Sequence, residues 1–389
     1  MIQSIKLGRQ EDGNRSIADK IIKRLNELEQ TVGLNQGRWI WELLQNAKDS
    51  IIDFPNRKVS VEIILDKTHI EFKHNGACFT ERDIRGLINQ ISSKEVFENK
   101  ENKRTGKFGT GFLTTHLLSK VVRVKGVLII ESQELFRFEC KIDREAENTL
   151  QLLPKIQHTW EEFDKSLTEI SPTCAELERT SFIYNLKTDQ QKETSLAGVE
   201  EFLKLVPLVL IFNQEIKEII LIDRVQSKNI HFSREENKQE HIYIISRVAN
   251  GEKQTLPILS FFGENVSIAA QLREMGGKYF VEENSNHPKL FCNFPLIGTE
   301  KFYLPVIVNS FYFNPRTERD GIWLKENNDK VAENKKLLEA AISLFHDSVA
   351  YVSEENIFEL YNLADTRMPK LDEASLDKGM VQKCYSAKA

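Results

Sequence analysis

The chain has 389 residues, 40% of them hydrophobic, and a formal net charge of −5. A chain of this length can bury a sizeable core and predicts two or three domains. Its negative net charge argues against nucleic-acid binding by bulk electrostatics, although a local basic patch is compatible with that average. The five cysteines are scattered without a C-x-x-C pair, which excludes a zinc site and a disulfide framework and favours a reducing cytoplasm. No 18-residue apolar run and no signal-peptide pattern is found, so we expect a cytoplasmic protein with no membrane partner.

The first predicted elements are two helices. Residues 16–28 and residues 39–51 both place apolar side chains at helical period. We expect the two helices to pack side by side. In the second helix, the stripe whose spacing buries one face consists of Ile40, Leu44, Ala47 and Ile51.

Another face of the 39–51 helix is polar. Glu42, Asn46 and Asp49 lie at positions i, i+4 and i+7. A carboxylate, a carboxamide and a second carboxylate in register can activate a water, hold a hard cation through oxygen and orient a polar ligand. The alternative is an ordinary amphipathic helix with a solvated acidic face.

A hairpin, a capped helix and a polar loop come next. KVSVEIILD and THIEFKHN predict two strands, the second of which ends in His74, Asn75 and Gly76. Residues 80–83 have the pattern of a capping box and open a helix that we expect to run to residue 90. The segment 92–105 is almost free of apolar residues and predicts a solvated loop.

A glycine-rich turn follows this loop. In TGKFGTGFLTTHLLSK, the glycines Gly106, Gly109 and Gly111 stand directly before an apolar-periodic run at residues 112–118. The free backbone N–H groups of such a turn, together with the dipole of the helix that it enters, favour binding of an anion. No G-x-x-x-x-G-K-[ST] string is present, so the turn is not a Walker A loop.

The remaining chain predicts more strands and four helices. Residues 121–142 predict strands, 150–178 is interpreted as a charged insertion that contains a helix, and SFIYNLK closes the first sheet. A second set of strands follows, and a loop within it carries Arg316 and Arg319. The three further helices are predicted at residues 200–210, 330–353 and 358–363.

Three of these stretches, in this order and at these distances, resemble the GHKL (Bergerat-fold) ATPase superfamily, most closely the Hsp90-like ATP-binding domains of sacsin-type proteins. ELLQNAKDS matches the E-x-x-x-N-x-x-D box, GKFGTGF matches the G-x-x-G-x-G-F box, and HNGAC stands where most relatives have D-x-G-x-G. The resemblance implies an α+β fold: a Bergerat-fold α/β sandwich with helices on one face of a mixed sheet, then a smaller transducer-like α/β domain. The implied domains are residues 1–194 for ATP binding, 195–325 for the transducer-like middle domain and 326–389 for C-terminal helices and a tail.

The resemblance also implies roles for the matching residues. Glu42 would be the general base for the attacking water, Asn46 would be the Mg²⁺ ligand, and Asp49 would lie beside the metal-bound waters or the nucleotide. The polar loop would be the nucleotide lid, in which Lys94 meets phosphate charge. The residues expected to wrap the phosphates are Gly106, Lys107, Phe108, Gly109, Thr110, Gly111 and Phe112.

On the base side, His74 stands where most relatives have an adenine-reading Asp. The resemblance implies that Asn75 and Gly76 lie beside it and that the hydroxyl of Thr180 joins the water network around the purine. A neutral His74 could accept a hydrogen bond from the adenine amino group. This interpretation predicts a modest preference for ATP over GTP and weaker binding as the pH falls through about 6–7.

In the transducer domains of such relatives, a basic residue reaches the γ-phosphate. Arg316 and Arg319 are the candidates, and the ERDG string favours Arg319; the alternative is that both are surface arginines in a turn.

Taken together, the motifs predict Mg²⁺-dependent ATP binding and slow ATP hydrolysis that drives lid closure and a conformational change or homodimer formation, with an unidentified protein client or effector. By analogy alone, such modules act in chaperone-like remodelling, DNA repair or prokaryotic defence. The alternative is a nucleotide-gated interaction module with vestigial hydrolysis, because the middle box is altered.

Overall fold

The chain is a mixed α/β protein that forms two compact units. The computed structural model describes residues 2–30, 37–90, 111–235, 239–283, 286–316, 318–325 and 328–364. Unit 1 comprises Met1–Phe202 and Glu218–Ile230, and unit 2 comprises Leu203–Lys217 and His231–Ala389. The domain boundaries expected after residues 194 and 325 stay a prediction.

Helices and strands are distributed over both units. The helices are α1 (Ile2–Gln30), α2 (Arg38–Asp49), α3 (Glu81–Asn89), α4 (Gly111–Thr114), α5 (Thr149–Ser166), α6 (Pro172–Leu177), α7 (Asp189–Phe212), α8 (Asp329–Glu354) and α9 (Tyr361–Ala364). The strands are β1 (Val59–Leu65), β2 (His69–His74), β3 (Phe79–Thr80), β4 (Val121–Ile129), β5 (Leu135–Asp143), β6 (Thr168–Ile170), β7 (Thr180–Asn185), β8 (Ile216–Asp223), β9 (Lys228–Arg234), β10 (Ile242–Ala249), β11 (Glu252–Phe262), β12 (Ser267–Met275), β13 (Lys278–Val281), β14 (Leu290–Cys292), β15 (Phe294–Pro295), β16 (Ile307–Asn309) and β17 (Ile357–Phe358).

The sheet of unit 1 is mixed, as predicted. Its central order is β1, β2, β7, β4, β5 and β6, all antiparallel, while β3 runs parallel to the end of β4. His74, the last residue of β2, pairs with Thr180, the first residue of β7. Two site residues that are far apart in sequence are therefore neighbours on adjacent strands.

Helix α2 carries the predicted apolar stripe into the core. Ile40, Leu44 and Ala47 are fully buried, as expected, and Ile51 is buried in the turn that follows. The helix ends at Asp49 rather than Ile51, with Ser50 as its C-cap.

Helix α3 begins with the capping box that the sequence predicts. The Asp83 N–H donates to Thr80 Oγ1 at 3.3 Å, and the Thr80 N–H donates to the Asp83 carboxylate at 2.9 Å. Each end of the pair therefore satisfies a backbone donor at the start of the helix.

The segment interpreted as a charged insertion is an integral part of unit 1. Its helix is confirmed as α5, and its flanks form β6 and α6. Two α5 side chains bind the outer edge of β5: Glu162 Oε2 accepts from the Lys141 N–H and Ser166 Oγ accepts from the Glu139 N–H, both at 3.0 Å. Strand β6 pairs with the rest of that edge, so the edge is covered along its length.

Unit 2 is built around β12, which belongs to two sheets. Residues 267–271 of β12 pair with β11, and residues 272–275 pair with β13 instead. Helix α8 confirms the helix predicted at residues 330–353, and its side chains in the unit 2 core include Leu338, Ala341, Ile342 and Phe345.

Two predicted helices differ from those observed. Helix α7 starts at Asp189, well before the predicted residue 200, and contains Pro207. The helix predicted at residues 358–363 is wrong, because Phe358 lies in β17 and only Tyr361–Ala364 is helical.

Candidate functional site

The carboxylate of Glu42 lies between an arginine and the last glycine of the glycine-rich turn. Glu42 is only 6% exposed, and its Oε1 lies 3.6 Å from Nη2 of Arg38, one turn earlier on α2. Its Oε2 faces Gly111, where an added Cβ would overlap this oxygen and lie 3.0 Å from Cδ of Glu42. Only glycine permits this approach, so the structure brings the first and third motifs together.

The other polar residues of α2 differ in burial. Asp49 is only 7% exposed, so the alternative of a solvated acidic face is wrong for both carboxylates. The Asn46 side chain is half-buried and has no hydrogen-bond partner among the residues that the structure describes. An amide oxygen placed in this way is a suitable ligand for a hard cation.

The HNG tripeptide is attached to the end of α2 through Ser50. Ser50 Oγ donates to the Ala47 carbonyl at 2.7 Å and accepts from the Ala77 N–H at 3.2 Å. An added Cβ at Gly76 would overlap Ser50 Oγ and lie 2.6 Å from Nδ1 of His74. Glycine is therefore required where the loop crosses the helix end.

Asn75 stabilises the loop from its other side. Its Oδ1 accepts from the Ser60 N–H at 2.7 Å, and Arg57 Nη2 donates to the carbonyls of Asn75 and Gly76 at 2.7 and 2.9 Å. The Asn75 amide oxygen is thus engaged within the protein, and a role of Asn75 in base binding stays a prediction.

His74 is buried, and one of its nitrogens is already used. The Gly76 N–H donates to Nδ1 at 3.0 Å. Burial, assisted by the positive charges of Arg57 and Arg179, lowers the pKa of His74 to about 3. The ring is therefore neutral near pH 7, and because Nδ1 accepts, the proton is on Nε2.

This tautomer corrects the predicted role of His74. Nε2–H is a donor, whereas the adenine amino group also donates, so the two groups do not match. With a pKa of about 3, His74 does not change its charge between pH 6 and 7, so this residue gives no support for a loss of binding in that range.

A row of aromatic rings connects the second and third motifs. The rings of His74 and Phe182 lie 6.3 Å apart, Phe182 and Phe112 lie 5.8 Å apart, and Phe112 contacts His116 at 5.4 Å. Thr180, two residues before Phe182, is buried beside His74. The sequence analysis missed Phe182 and His116; the position of Phe182 two residues after Thr180, on the same face of a strand, was a usable signal.

Two basic side chains near this row are buried, His116 and Arg144. Burial lowers the pKa of His116 to about 3, and the positive charge of Arg144 contributes. Arg144 is fully buried, and its Nη2 donates to the Ile88 carbonyl. Burial also lowers the pKa of Arg144, to about 10.

Several predicted residues lie outside the described residues, and their roles stay predictions. They are Lys94, Gly106, Lys107, Phe108, Gly109 and Thr110.

Arg316 and Arg319 belong to unit 2, whereas the other candidates belong to unit 1. Nε of Arg316 pairs with Oδ1 of Asp320 at 3.0 Å. Arg319 has a φ of 52°, and its buried Nη2 has no hydrogen-bond partner in the parts of the chain that are described. A buried guanidinium nitrogen of Arg319 is therefore unpaired within the described residues, whereas two nitrogens of Arg316 bond to Asp320.

Comparison with known proteins does not identify the chain. No protein-family model matches it, and no curated protein matches it. Within the described ranges, no helix is both long enough and apolar enough to cross a membrane. In the same ranges, no three His, Cys, Asp or Glu side chains form a metal cluster.

Proposed function

We propose that the chain binds Mg·ATP and hydrolyses it slowly. The observation that carries this proposal is the convergence of three separate motifs in unit 1. Glu42 lies against Gly111, Ser50 at the end of α2 contacts Gly76, and Phe182 lies between His74 and Phe112. Three motifs that carry a carboxylate, a base-side loop and a phosphate turn meet in one place, as a nucleotide site requires.

In the proposed mechanism, Glu42 takes a proton from the attacking water. The buried Arg38 engages Oε1, which leaves Oε2 on the side of Gly111. A carboxylate held in this way needs little reorganisation before it accepts a proton.

The metal site is also part of the proposal. Mg²⁺ usually binds through one or two protein oxygens together with phosphates and waters, so the lack of an acidic cluster among the described residues fits it. Asn46 would supply the protein oxygen, and Asp49 would lie one turn further along α2. A bound Mg²⁺ would offset the charge that develops on the phosphates.

The proposed fold is the Bergerat fold for unit 1, with a transducer-like role for unit 2. The mixed sheet of unit 1 and the burial of α2 support the first part. On the resemblance alone, Arg319 of unit 2 is proposed to act on the γ-phosphate, and nucleotide-driven homodimer formation belongs to the same proposal.

A second candidate function is a nucleotide-gated interaction module whose hydrolysis is vestigial. The internal use of His74 Nδ1 and Asn75 Oδ1 favours it, because neither group is left to accept from the base. A protein that reads the base weakly can still bind the phosphates and change conformation.

Calorimetric titration with Mg·ATP tests binding. We expect wild type to bind, and Asn46→Ala to lose most of the Mg²⁺ dependence of its affinity, because the amide oxygen is removed. Glu131→Gln, which changes an exposed carboxylate in a turn, is the control and should bind like wild type. An Asn46→Ala affinity that depends on Mg²⁺ as in wild type would remove Asn46 from the site, and no binding by wild type would contradict the proposal.

A further inference from the structure

Strands β11 and β12 separate in the middle of unit 2. Their last pair is Ile258 with Gln271; beyond it, β12 continues with β13, while β11 continues along β10 alone. We call the wedge between residues 252–257 of β11 and residues 272–275 of β12 the strand fork.

The register of β10 and β11 determines which backbone groups of β11 face the fork. Ala249 pairs with Glu252 across a two-residue turn of Asn250 and Gly251, both with positive φ. In such a hairpin the closing pair is hydrogen-bonded, and hydrogen-bonded pairs recur at every second residue. Even-numbered residues of β11 therefore bond to β10, as the 2.8 Å bond from the Ser260 N–H to the His241 carbonyl illustrates. By the same alternation, the odd-numbered residues Lys253 and Thr255 direct their backbone N–H and C=O groups into the fork.

The β12 wall of the fork also directs backbone groups into the fork. The β12–β13 hairpin closes with the pair Met275 and Lys278, and the Glu282 N–H donates to the Gln271 carbonyl at 2.9 Å. Odd-numbered residues of this part of β12 thus bond to β13, and Leu272 and Glu274 direct their backbone groups into the fork. No backbone partner of these groups is found in the described ranges, so both walls carry unpaired donors and acceptors.

A cleft of about 460 Å³ fills the fork. This volume is in the usual range for ligand pockets. Lys253 and Arg273 are balanced by Glu274 and Glu282 among the lining residues, so the cleft does not select a small ion by charge. Its chemistry is that of a peptide backbone, because the unpaired groups on both walls are peptide groups.

In unit 1, an outer edge of the sheet is covered by other parts of the chain. There, α5 side chains and β6 cover the outer edge of β5. Exposed strand edges are usually blocked in this way, because they pair with other chains. The fork has two such edges, and neither pairs with a further strand within the described residues.

We propose that the strand fork binds an extended segment of a partner polypeptide, which adds as a strand between β11 and β12. The carbonyls of the segment accept from the N–H groups of Lys253 and Thr255, and its own N–H groups donate to the carbonyls of the walls. Pairing ends at Pro257, which has no N–H. The buried Pro257 and Ile258 give the cleft an apolar end that takes an apolar side chain of the segment.

Residue-resolved amide hydrogen exchange tests the unpaired edge in the full chain. The amides of Lys253 and Thr255 should exchange rapidly, whereas those of Gln254 and Leu256, which bond to β10, should be protected. Equal protection of all four amides would mean that the edge is already paired, and would overturn the proposal.

Binding is tested with a displayed library of random peptides of about ten residues, enough to span the free edge at about 3.4 Å per residue. Selected peptides should protect the Lys253 and Thr255 amides and should bind Thr255→Pro, which removes one N–H, at least about tenfold more weakly than wild type. Thr255→Ala keeps the N–H and should bind within about twofold of wild type.

Three results would overturn the proposal. The first is that no peptide is enriched, and the second is that Thr255→Pro binds as well as Thr255→Ala. The third is a dimer in light scattering that Thr255→Pro abolishes, since the occupant would then be a second copy of this chain. If Thr255→Pro does not fold, amide exchange of wild type with a selected peptide tests the proposal instead. A peptide that leaves the Lys253 and Thr255 amides unprotected would overturn it.

Discussion

At Gly111 a missing side chain allows the carboxylate of Glu42 to approach the main chain. The added Cβ of any other residue would overlap Oε2, and Arg38 on the other side limits how far the carboxylate can move. The glycine therefore sets the position of the proposed base.

Gly111→Ala tests this dependence. We expect a loss of about 10²-fold in the rate of phosphate release, because a displacement of the base by about 1 Å costs that much. Gly13→Ala in α1 has open space around the added Cβ and should keep the wild-type rate. Wild-type turnover by Gly111→Ala would show that the contact with Glu42 does not matter for the reaction.

Two buried histidines predict how stability depends on pH. The pKa values of His74 and His116 are about 3 in the folded chain, against about 6.5 when unfolded. Between these values the unfolded chain binds more protons, so the free energy of unfolding falls as the pH decreases below about 6.5. Each histidine contributes up to about 1.4 kcal/mol per pH unit there.

Urea denaturation measures this effect, with tryptophan fluorescence as the signal, since Trp39, Trp41 and Trp160 lie in unit 1. From about pH 7.5 to about pH 5.5 we expect wild type to lose about 2–3 kcal/mol of stability. His116→Gln should lose about half as much between the same two pH values. An unchanged pH dependence in this variant would show that His116 is not buried in its neutral form.

The sequence predicted some residues of the candidate site but not all of them. Motif spacing identified Glu42, Gly76 and Gly111, because close approach of helix, loop and turn demands those residue types. The tautomer of His74 could not be predicted, since it depends on one hydrogen bond from the Gly76 N–H. Phe182 was missed because its contact with His74 follows from the register of β2 and β7.

Among the elements, α5 shows why a helix that packs on the sheet can be interpreted as part of a charged insertion. Leu152, Ile156 and Phe163 are buried at helical spacing, but the buried position between them is Thr159, and Pro154 lies within the helix. A polar residue at a core position and a proline both weaken the apolar pattern. In the structure, Thr159 Oγ1 donates to the Lys141 carbonyl of β5 at 2.9 Å, so it serves the contact with the sheet.

Phe163→Ala tests the contribution of α5 to unit 1. Phe163 is 5% exposed, and its ring lies 5.3 Å from Phe138 and 5.9 Å from Trp160. We expect a loss of about 3–5 kcal/mol in the free energy of unfolding, the usual cost of removing a buried ring. Leu150→Ala, at a position of the same helix that is 71% exposed, should change it by about 0.5 kcal/mol or less. Similar small losses for both variants would contradict the packing of α5.

For the whole molecule, alternation and β-branching predicted a second, mostly β region, and unit 2 agrees with that expectation. The strand fork could not be predicted in the same way. In β11 the polar, exposed residues 252–255 precede a mostly apolar, buried run, but this change does not show which neighbouring strand is lost, because each strand keeps one neighbour on its other side. The partner that a strand loses depends on the direction of the next hairpin, which strand periodicity does not encode.

The central claim is that Glu42 is the general base of a nucleotide site in unit 1. Phosphate release from saturating Mg·ATP by wild type and by Glu42→Gln tests it most directly. We expect turnover by wild type and a loss of about 10²–10⁴-fold in the variant, which keeps the size of the side chain but removes the base. Equal turnover by the two proteins would show that Glu42 is not the base.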